Sequence, residues 1–529
     1  MSLQVHDLSY AHPDKEVLFT DISFSLPRGE RRALVGSNGV GKSTLLRILA
    51  KRIAPTSGEV VCDTPYLVPQ HFGQFDGMTV AQALGVAEKL QALAAITNGD
   101  ASEHNFTLLG DDWSVEERIA EAFADWELDA ISPATPMSTL SGGEKTKVFL
   151  AGIALHSPSV VLMDEPTNHL DRRGRERLYD YIGRPGPTLL IVSHDRTLLN
   201  LLPSLLEMSP DGVRFYPMSY DAYRAAREAE TLSRTAQLEN RQKELAKAKK
   251  AANDAMERQQ KHSARGERQS AKRCMARIVT NSLHDQSEAS AARLGKALQN
   301  KLQAMNDEIR ELRAAIPEDA AMKLRFAPSE LRPGKLLIEA EALNHAYIDG
   351  HDLWKSPLNF ALRSGERIRL LGGNGRGKST LLRLITGALT PTAGEIRRTE
   401  AFRIAYLDQE YSLVDNDRTV YGQLAACNPR MPEHELKIRL THLLFPAAAW
   451  DKKCGCLSGG EKMKLALCSL MVAEAGPDMI IADEPTNNID IASMEILAAT
   501  LRRYSGTLLV VSHDETFIRE IGITGTMTV

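Results

Sequence analysis

The sequence contains one phosphate-binding pattern twice. Gly-x-x-x-x-Gly-Lys-Ser occurs at 36–43 and again at 372–379. In such a loop the glycines let backbone N–H groups surround the β- and γ-phosphates of a nucleotide at a helix N-terminus. The lysine adds a positive charge, and the serine hydroxyl can bind Mg²⁺. The chain is therefore predicted to hold two nucleotide sites. The loop residues are Gly36, Ser37, Asn38, Gly39, Gly41, Lys42, Ser43 and Thr44 in the first copy, and Gly372, Asn374, Gly375, Gly377, Lys378, Ser379 and Thr380 in the second.

Each glycine-rich loop is followed, much later in the sequence, by an Asp-Glu pair. Asp164-Glu165 and Asp483-Glu484 end apolar runs at 159–163 and 478–482. Such a run is typical of a buried parallel strand, and α/β sheets bind their ligands at the carboxyl ends of these strands. The two aspartates are predicted to bind Mg²⁺, directly or through its water. The two glutamates are predicted to orient and deprotonate a water that attacks the bound phosphate.

Particular elements must position these residues. Short β-type runs at Arg31–Val35 and Arg367–Leu371 lead straight into the glycine-rich loops, and a helical stretch follows each loop. Strand, loop and helix in this order are the context that distinguishes a P-loop from a chance match. The predicted fold class is α/β, with two P-loop nucleotide-binding domains joined by a helical, coiled-coil-like hairpin.

The domains are predicted from an internal repeat. Four motifs recur in one order, which indicates a duplicated domain. They are the phosphate loops, Leu140–Lys145 with Leu457–Lys462, Asp164–Asn168 with Asp483–Asn487, and Val192–Asp195 with Val511–Asp514. Between the first two motifs the first copy is 19 residues longer, so a helical insertion is expected near 85–118. The predicted domains are 1–219 and 334–529, with a linker at 220–333.

Composition narrows the class of protein. A length of 529 residues predicts about three domains. A hydrophobic fraction of 43% and a formal net charge of −4 are typical of a globular protein and exclude a chain that is basic throughout. No apolar run is long enough to span a membrane, and the first seven residues resemble no export signal, so a cytoplasmic protein is expected. The six cysteines are too scattered for a disulfide framework, and Cys454 and Cys456 are interpreted as loop thiols.

The linker has the composition of long helices. It is rich in Ala, Lys, Arg, Glu and Gln. Its second half carries apolar residues at coiled-coil spacing, and a weaker set lies in its first half, so two helices folded into a hairpin are predicted. The two sets are Leu294, Leu298, Leu302, Met305, Ile309, Leu312 and Ile316, and Leu238, Leu245, Ala248 and Ala252.

The charge of the linker is uneven. Residues 241–277 contain twelve Lys and Arg but four acidic residues, an excess of +8, which leaves −12 for the rest of the chain. A basic block on an otherwise acidic protein is the charge pattern expected of a surface that binds a polyphosphate backbone. The common alternative for a run of charges is a solvated helix face.

Together these motifs resemble the ATP-binding cassette ATPases, whose signature motif is similar to Leu-Ser-Gly-Gly-Glu-Lys at 140–145 and 457–462. The resemblance implies that two cassettes pair head to tail, so that each ATP lies between the P-loop of one and the signature of the other. Ser458 and Gly460 would then serve the Lys42 site, and Ser141 and Gly143 the Lys378 site. The further residues implied are Tyr10 and Tyr347 stacking on adenine, Gln70 and Gln409 contacting nucleotide and metal, the switch histidines His194 and His513, and the D-loop aspartates Asp171 and Asp490.

With the linker included, the chain resembles the ABC-F subfamily, which has two cassettes on one chain and a charged helical linker. The resemblance implies an intramolecular cassette pair that binds the ribosome in its ATP-closed state, regulates translation or protects the ribosome from antibiotics, and leaves on ATP hydrolysis. The residues implied to contact ribosomal RNA or tRNA are Lys261, Arg265, Arg268, Lys272, Arg273 and Arg277. Two alternatives stay open: the ATPase pair of a membrane transporter with separate membrane subunits, and a DNA-associated ATPase.

Overall fold

The computed structural model describes residues 3–12, 17–63, 65–100, 102–209, 212–272, 296, 299–300, 302–313, 326, 331–347, 350–373, 375–399, 402–409, 411–443, 445–487 and 489–529. The described residues up to Tyr220 and from Phe326 onward form one compact unit, and those from Asp221 to 313 form another. Asn374, Arg273, Arg277, Leu294, Leu298 and Ile316, named above as site or linker residues, lie outside the described residues.

The first repeat contains nine strands and eight helices in its described residues. The strands are β1 (Leu3–Ala11), β2 (Val17–Leu26), β3 (Arg31–Val35), β4 (Ser57–Cys62), β5 (Pro65–Val68), β6 (Val160–Asp164), β7 (Thr188–Val192), β8 (Ser204–Ser209) and β9 (Gly212–Tyr216). The helices are α1 (Lys42–Leu49), α2 (Val80–Ala83), α3 (Ala87–Thr97), α4 (Glu103–Leu109), α5 (Val115–Asp125), α6 (Gly142–His156), α7 (Arg172–Gly183) and α8 (Arg196–Asn200).

A six-stranded sheet in the order β5-β6-β7-β3-β8-β9 forms the centre of the first repeat. Its strands are parallel except for β9, and every residue of β6 and β7 is buried because helices cover both faces. The predicted strand–loop–helix context is confirmed, since β3 ends at Val35 and α1 begins at Lys42. A three-stranded antiparallel sheet, β2-β1-β4, lies beside this core.

Two helices lie in the segment where the insertion is expected. Helix α3 begins at Ala87, and α3 and α4 pack on each other. Lys89 on α3 and Arg118 on α5 both form ion pairs with Asp112, at 2.8 and 2.6 Å. These pairs connect α3 and α5 through the segment that follows α4.

The second repeat has the same plan. Its strands are β10 (Leu336–Asn344), β11 (Leu358–Arg363), β12 (Arg367–Leu371), β13 (Ala393–Arg398), β14 (Ile404–Leu407), β15 (Met479–Asp483), β16 (Thr507–Val511) and β17 (Gly525–Thr528). Its helices are α11 (Lys378–Thr386), α12 (Val420–Cys427), α13 (Glu433–His442), α14 (Gly459–Val472), α15 (Ile491–Arg503) and α16 (Glu515–Glu520). The main sheet, β14-β15-β16-β12-β17, is fully parallel, and β11-β10-β13 form the antiparallel sheet. The prediction of two α/β nucleotide-binding repeats is confirmed.

The linker contains one long helix, α9 (Tyr220–Lys272), as its composition predicted. A second helical segment, α10, is described over 302–313. Arg241 Nη2 on α9 lies 3.0 Å from Glu308 Oε1 on α10, so the two segments are in contact at this point, as a hairpin requires. In α10 the predicted seam residues Leu302, Met305, Ile309 and Leu312 are all partly buried. None of the described helices combines the length and apolar character that a membrane-spanning helix needs.

Candidate functional site

The two P-loop lysines are folded over their own loops. Lys378 Nζ donates to the carbonyl oxygens of Gly372 and Gly373 at 2.7 and 3.2 Å, and Lys42 Nζ donates to those of Gly36 and Ser37 at 2.7 and 3.0 Å. Each lysine starts a helix directly after a glycine in the left-handed region. A Cβ on Gly41 would lie 2.8 Å from the Leu18 side chain, so only glycine permits this close approach.

The P-loop serines meet the aspartates predicted to bind metal. Ser43 Oγ donates to Asp164 Oδ1 at 3.1 Å, and Ser379 Oγ donates to Asp483 Oδ2 at 3.2 Å. Burial raises the pKa of both carboxyl groups. Gln70 and Gln409 line the same two cavities as these pairs. Hydroxyl, carboxylate and amide oxygens converge at each site, and this donor set fits Mg²⁺.

Each predicted general base lies against its predicted switch histidine. His194 Nε2 is 3.4 Å from Glu165 Oε1, and His513 Nε2 is 3.3 Å from Glu484 Oε1. Both glutamates have a left-handed backbone conformation, with φ of 49° and 48°. This conformation changes the direction of the chain, and with it that of the glutamate side chain, at the end of each strand. Their N–H groups donate to the carbonyls of Val192 and Val511, the residues that end β7 and β16. Neighbouring parallel strands therefore bring each Glu–His pair together.

Burial controls the protonation of these pairs. It lowers the pKa of His194 to about 3 and that of His513 to about 4, so both imidazoles are neutral at pH 7. Burial also raises the pKa of Glu165 to about 8, with a further rise from the charge of Asp164. The pKa of Glu484 is raised by burial as well. Perturbation of this kind, at the end of a buried strand, is typical of a reaction centre.

A cavity of about 450 Å³ is shared by the two repeats. Its P-loop wall comes from the second repeat, and its opposite wall comes from the signature and D-loop segments of the first. The lining residues are Ser141, Gly142, Gly143, His169, Leu170, Arg175, Tyr347, Leu353, Gly373, Gly375, Gly377, Lys378, Ser379, Thr380, Gln409, Asp483, Glu484, Asn487 and His513. The geometry thus joins Ser141 and Gly143 to the Lys378 site, as the head-to-tail pairing requires.

The second cavity, of about 290 Å³, is built around Lys42. Its lining residues are His12, Leu18, Asn38, Gly39, Gly41, Lys42, Ser43, Thr44, Gln70, Asp164, Glu165, Val192 and His194. Ser458 is not in this lining. The second repeat nevertheless reaches the loop, because Asp490 Oδ2 accepts a hydrogen bond from the Asn38 N–H at 3.4 Å, and a Cβ on Gly460 would lie 4.0 Å from Asn38 Nδ2.

The signature serines begin helices. Ser141 Oγ accepts from the Glu144 N–H at 3.3 Å, and the Glu144 carboxylate accepts from the Ser141 N–H at 2.8 Å, which is a capping box. Ser458 and Glu461 repeat this arrangement at the start of α14. The N–H dipoles of α6 are therefore directed toward the shared cavity, where they favour an anion.

The structure places the two adenine candidates, Tyr10 and Tyr347, at non-equivalent positions. Asp7 on β1 and Ala342 on β10 both have a positive φ and mark equivalent positions. Tyr347 lies five residues after Ala342 and lines the shared cavity. The residue five positions after Asp7 is His12, which lines the Lys42 cavity. Tyr10 lies outside that lining and instead packs on Phe19, with ring centroids 6.2 Å apart. His12 is therefore the structural counterpart of Tyr347.

Two further residues distinguish the shared cavity. Arg175 of the first repeat is part of its lining, and the Tyr406 hydroxyl donates to Asp483 Oδ2 at 3.1 Å. Alignment of the repeats pairs Arg175 with Met494 and Tyr406 with Leu67. A polar residue aligned with an apolar one is the signal by which a comparison of the repeats could have identified both.

Comparison with known proteins gives matches on both repeats. A family model described as ABC transporter matches residues 19–168 and 356–487. ABC transporter F family member 5 of Arabidopsis thaliana is 30% identical over 532 residues, which cover 95% of this chain and 71% of that protein. Ribosome protection protein VmlR of Bacillus subtilis is 27% identical over 516 residues, covering 97% and 84%. A chain in the crystal structure of archaeal ribosomal stalk protein aP1 with archaeal ribosome recycling factor aABCE1 is similar in fold, with a TM-score of 0.57 at 19% identity over 99% of this chain and 87% of that one.

Proposed function

Since this chain belongs to the F branch of the ATP-binding cassette family, we propose that it hydrolyses ATP at two sites shared between its cassettes and binds the ribosome while ATP holds the cassettes together. The observation that carries the proposal is the shared cavity, in which Ser141 and Gly143 of the first cassette face Lys378 of the second. A nucleotide in that cavity contacts both cassettes, so its binding favours their closed arrangement and its cleavage weakens that arrangement.

The chemistry is assigned to the residues that line each site. Lys42 and Lys378 bind the phosphates together with the loop amides. Glu165 and Glu484 orient the attacking water and accept its proton, which requires each carboxyl group to be ionised; the charge of Mg²⁺ beside Asp164 or Asp483 would lower their raised pKa values toward that state. The imidazoles of His194 and His513 lie against these carboxyl groups. Ser43, Asp164 and Gln70 would hold Mg²⁺ at one site, and Ser379, Asp483 and Gln409 at the other. When bound, the metal neutralises charge on the phosphates.

The ribosome is proposed as partner on two grounds. The linker carries an excess of +8 over 241–277, which favours a polyphosphate backbone. In addition, a relative that matches over nearly the full chain is named a ribosome protection protein. Few aromatic residues occur in this basic block, so contacts are expected to depend on charge and shape rather than on base sequence. A ribosomal partner also implies a cytoplasmic protein.

The test uses a variant that binds ATP without cleaving it. Glu165→Gln with Glu484→Gln is expected to accumulate on ribosomes in a sucrose gradient with ATP and to inhibit translation in a cell-free system. Lys42→Ala with Lys378→Ala is the matched control, since it lacks the phosphate-binding charge and should stay in the free fractions. If the Gln variant fails to co-sediment at low salt, the ribosomal function is wrong, and co-sedimentation with membranes instead would favour the transporter alternative.

The contribution of the linker is tested separately. Changing Lys261, Arg265, Arg268 and Lys272 to Gln should weaken ribosome binding and flatten its salt dependence, because fewer counterions are released. Nucleotide affinity should not change. The control replaces four basic residues outside the linker, all of them exposed: Arg28, Arg173, Lys453 and Arg502. An equal loss of ribosome binding in both variants would contradict a specific contact through the linker.

A further inference from the structure

An arginine of the first cassette lies at the ATP cavity of the second. Arg175, on the first turn of α7, lines that cavity together with Lys378, Glu484 and His513. Its side chain is only 13% exposed. Because Asp171 caps the same helix by accepting from the Gly174 N–H at 2.9 Å, the first turn of α7 is held in a defined position.

The contacts of Arg175 fix the position of its side chain but neutralise its positive charge only weakly. Its Nε donates to the carbonyl oxygen of Leu170 at 3.2 Å, and Leu170 lines the same cavity. The nearest carboxylate contact is between Nη1 and Asp195 Oδ2 at 3.9 Å. That carboxylate already accepts from the Thr197 and Leu198 N–H groups at 2.9 and 3.2 Å. The guanidinium charge is therefore only weakly compensated.

The electrostatics of the site agree with this position. Burial raises the pKa of Glu484, and the nearby Arg175 charge is the largest influence that opposes the rise. Burial lowers the pKa of His513, and Arg175 lowers it further. The charge of Arg175 thus acts directly on both members of the Glu–His pair.

The other ATP site lacks this group. Asp490 caps α15 as Asp171 caps α7, and the residue four positions later is Met494, which is 2% exposed. In the lining of the Lys42 cavity, as far as the structure describes it, all residues belong to the first cassette. One difference between the two sites is therefore a positive charge that crosses from the partner cassette.

We propose that Arg175 binds the terminal phosphate of the ATP held by Lys378 and makes that site the faster of the two; this rests on the proposed ATPase function. In hydrolysis the water oxygen attacks the γ-phosphorus, its proton passes to Glu484, and the bond to the β,γ-bridging oxygen breaks, leaving the electron pair on ADP. Charge increases on the γ-phosphate oxygens and the leaving oxygen during this step. A planar guanidinium with several donors stabilises such charge better than an ammonium or a thioether does.

Single-site variants separate the two cavities. Glu165→Gln leaves the Lys378 site as the hydrolysing one, and Glu484→Gln leaves the Lys42 site. Arg175→Met, which copies the counterpart Met494, should lower kcat about 10-fold or more in the Glu165→Gln background. In the Glu484→Gln background, the factor by which Arg175→Met lowers kcat should be at least about fivefold smaller. Arg175→Lys should restore part of the lost rate, because it returns the charge without the planar donor set.

Arg173→Met is the matched control, since Arg173 is an exposed arginine on the same turn of α7. The kcat of the Arg173→Met variant should stay within about twofold of the kcat of its background. Thermal unfolding should show equal stability for Arg175→Met and Arg175→Lys. Equal losses in both backgrounds would mean a structural role and would overturn the proposal. If neither background hydrolyses ATP, the ATPase function itself is wrong. In that case equilibrium dialysis with ATP still tests the role of Arg175. Arg175→Met should weaken ATP binding more in a Lys42→Ala variant than in a Lys378→Ala variant. Unchanged ATP binding would overturn the proposal.

Discussion

The N–H group of Asn38 donates a hydrogen bond to Asp490 Oδ2 at 3.4 Å, which joins the first P-loop to the second cassette. Asp490 also accepts from the Ser493 N–H at 2.7 Å and so caps α15. Because the loop and the helix belong to different cassettes, the shape of the first ATP site depends on their pairing. Together with the cavity shared at the Lys378 site, this contact places residues of both cassettes at each P-loop.

A buried ion pair between the cassettes should contribute to their association. Arg196 Nη1 lies 2.6 Å from Glu520 Oε1, and the arginine side chain is 4% exposed. Arg196→Ala should lower the free energy of unfolding by about 1–3 kcal/mol in urea denaturation, since it removes a buried guanidinium that contacts both Glu520 and, at 3.4 Å, Glu495. Arg196→Lys should recover part of this loss, because it returns a positive charge to the position between Glu520 and Glu495. Arg502→Ala, at an exposed position, is the control, and an equal effect from both alanine variants would contradict the prediction.

The adenine contact should follow the cavity lining. Tyr347→Ala and His12→Ala should each raise the ATP dissociation constant about fivefold at their own site, because stacking on an aromatic ring contributes about 1 kcal/mol. Tyr10→Ala should lower thermal stability, since Tyr10 packs on the buried Phe19. It should lower ATP affinity less than His12→Ala does, since Tyr10 lies outside the cavity lining and contacts His12 with ring centroids 5.5 Å apart. Titration of ATP into Lys378→Ala and Lys42→Ala variants, each with one intact site, measures these constants. A larger affinity loss from Tyr10→Ala than from His12→Ala would contradict this assignment.

The switch histidine of the second site should make stability depend on pH. The pKa of His513 in the folded protein is about 4, lowered by burial and by Arg175, Lys378 and Arg369, with Asp171 opposing and Glu484 in contact. The unfolded chain therefore takes up this proton first, near the ordinary pKa of about 6.5. Its contribution to stability is complete above that pH and is lost as the pH falls toward 4.

His513→Gln removes this titration. From pH 7 to pH 5 the original protein should lose about 2 kcal/mol more of its unfolding free energy than the variant does. Urea denaturation at several pH values measures the difference. Parallel stability curves for the two proteins would contradict the assignment of a neutral, buried His513.

Local patterns predicted most of the fold. The run 159–163 is apolar without alternation, and β6 over Val160–Asp164 is buried on both faces because helices cover the sheet. The glycine-rich loops set the starts of α1 and α11, since the glycine before each lysine adopts a left-handed backbone. In α10, spacing alone identified the residues that face inward.

Features that depend on register or on the partner cassette could not be predicted in this way. His12 and Tyr347 occupy equivalent positions but are different residue types, so the repeated motifs alone point to Tyr10 instead of His12. Arg175 acts on a site more than 200 residues away in sequence, and only the pairing of the cassettes brings it to Lys378. Local propensity contains no information about such contacts.

The central claim is that each ATP site is completed by the opposite cassette. Ser141→Asp and Ser458→Asp test it, because aspartate still caps a helix but places a negative charge where the γ-phosphate is expected. ATP turnover is measured for each variant in the Glu165→Gln and Glu484→Gln backgrounds. We predict that Ser141→Asp abolishes turnover in the Glu165→Gln background, where the Lys378 site works, and that Ser458→Asp does so in the Glu484→Gln background. The opposite result, in which each aspartate inactivates the site of its own cassette, would contradict the account.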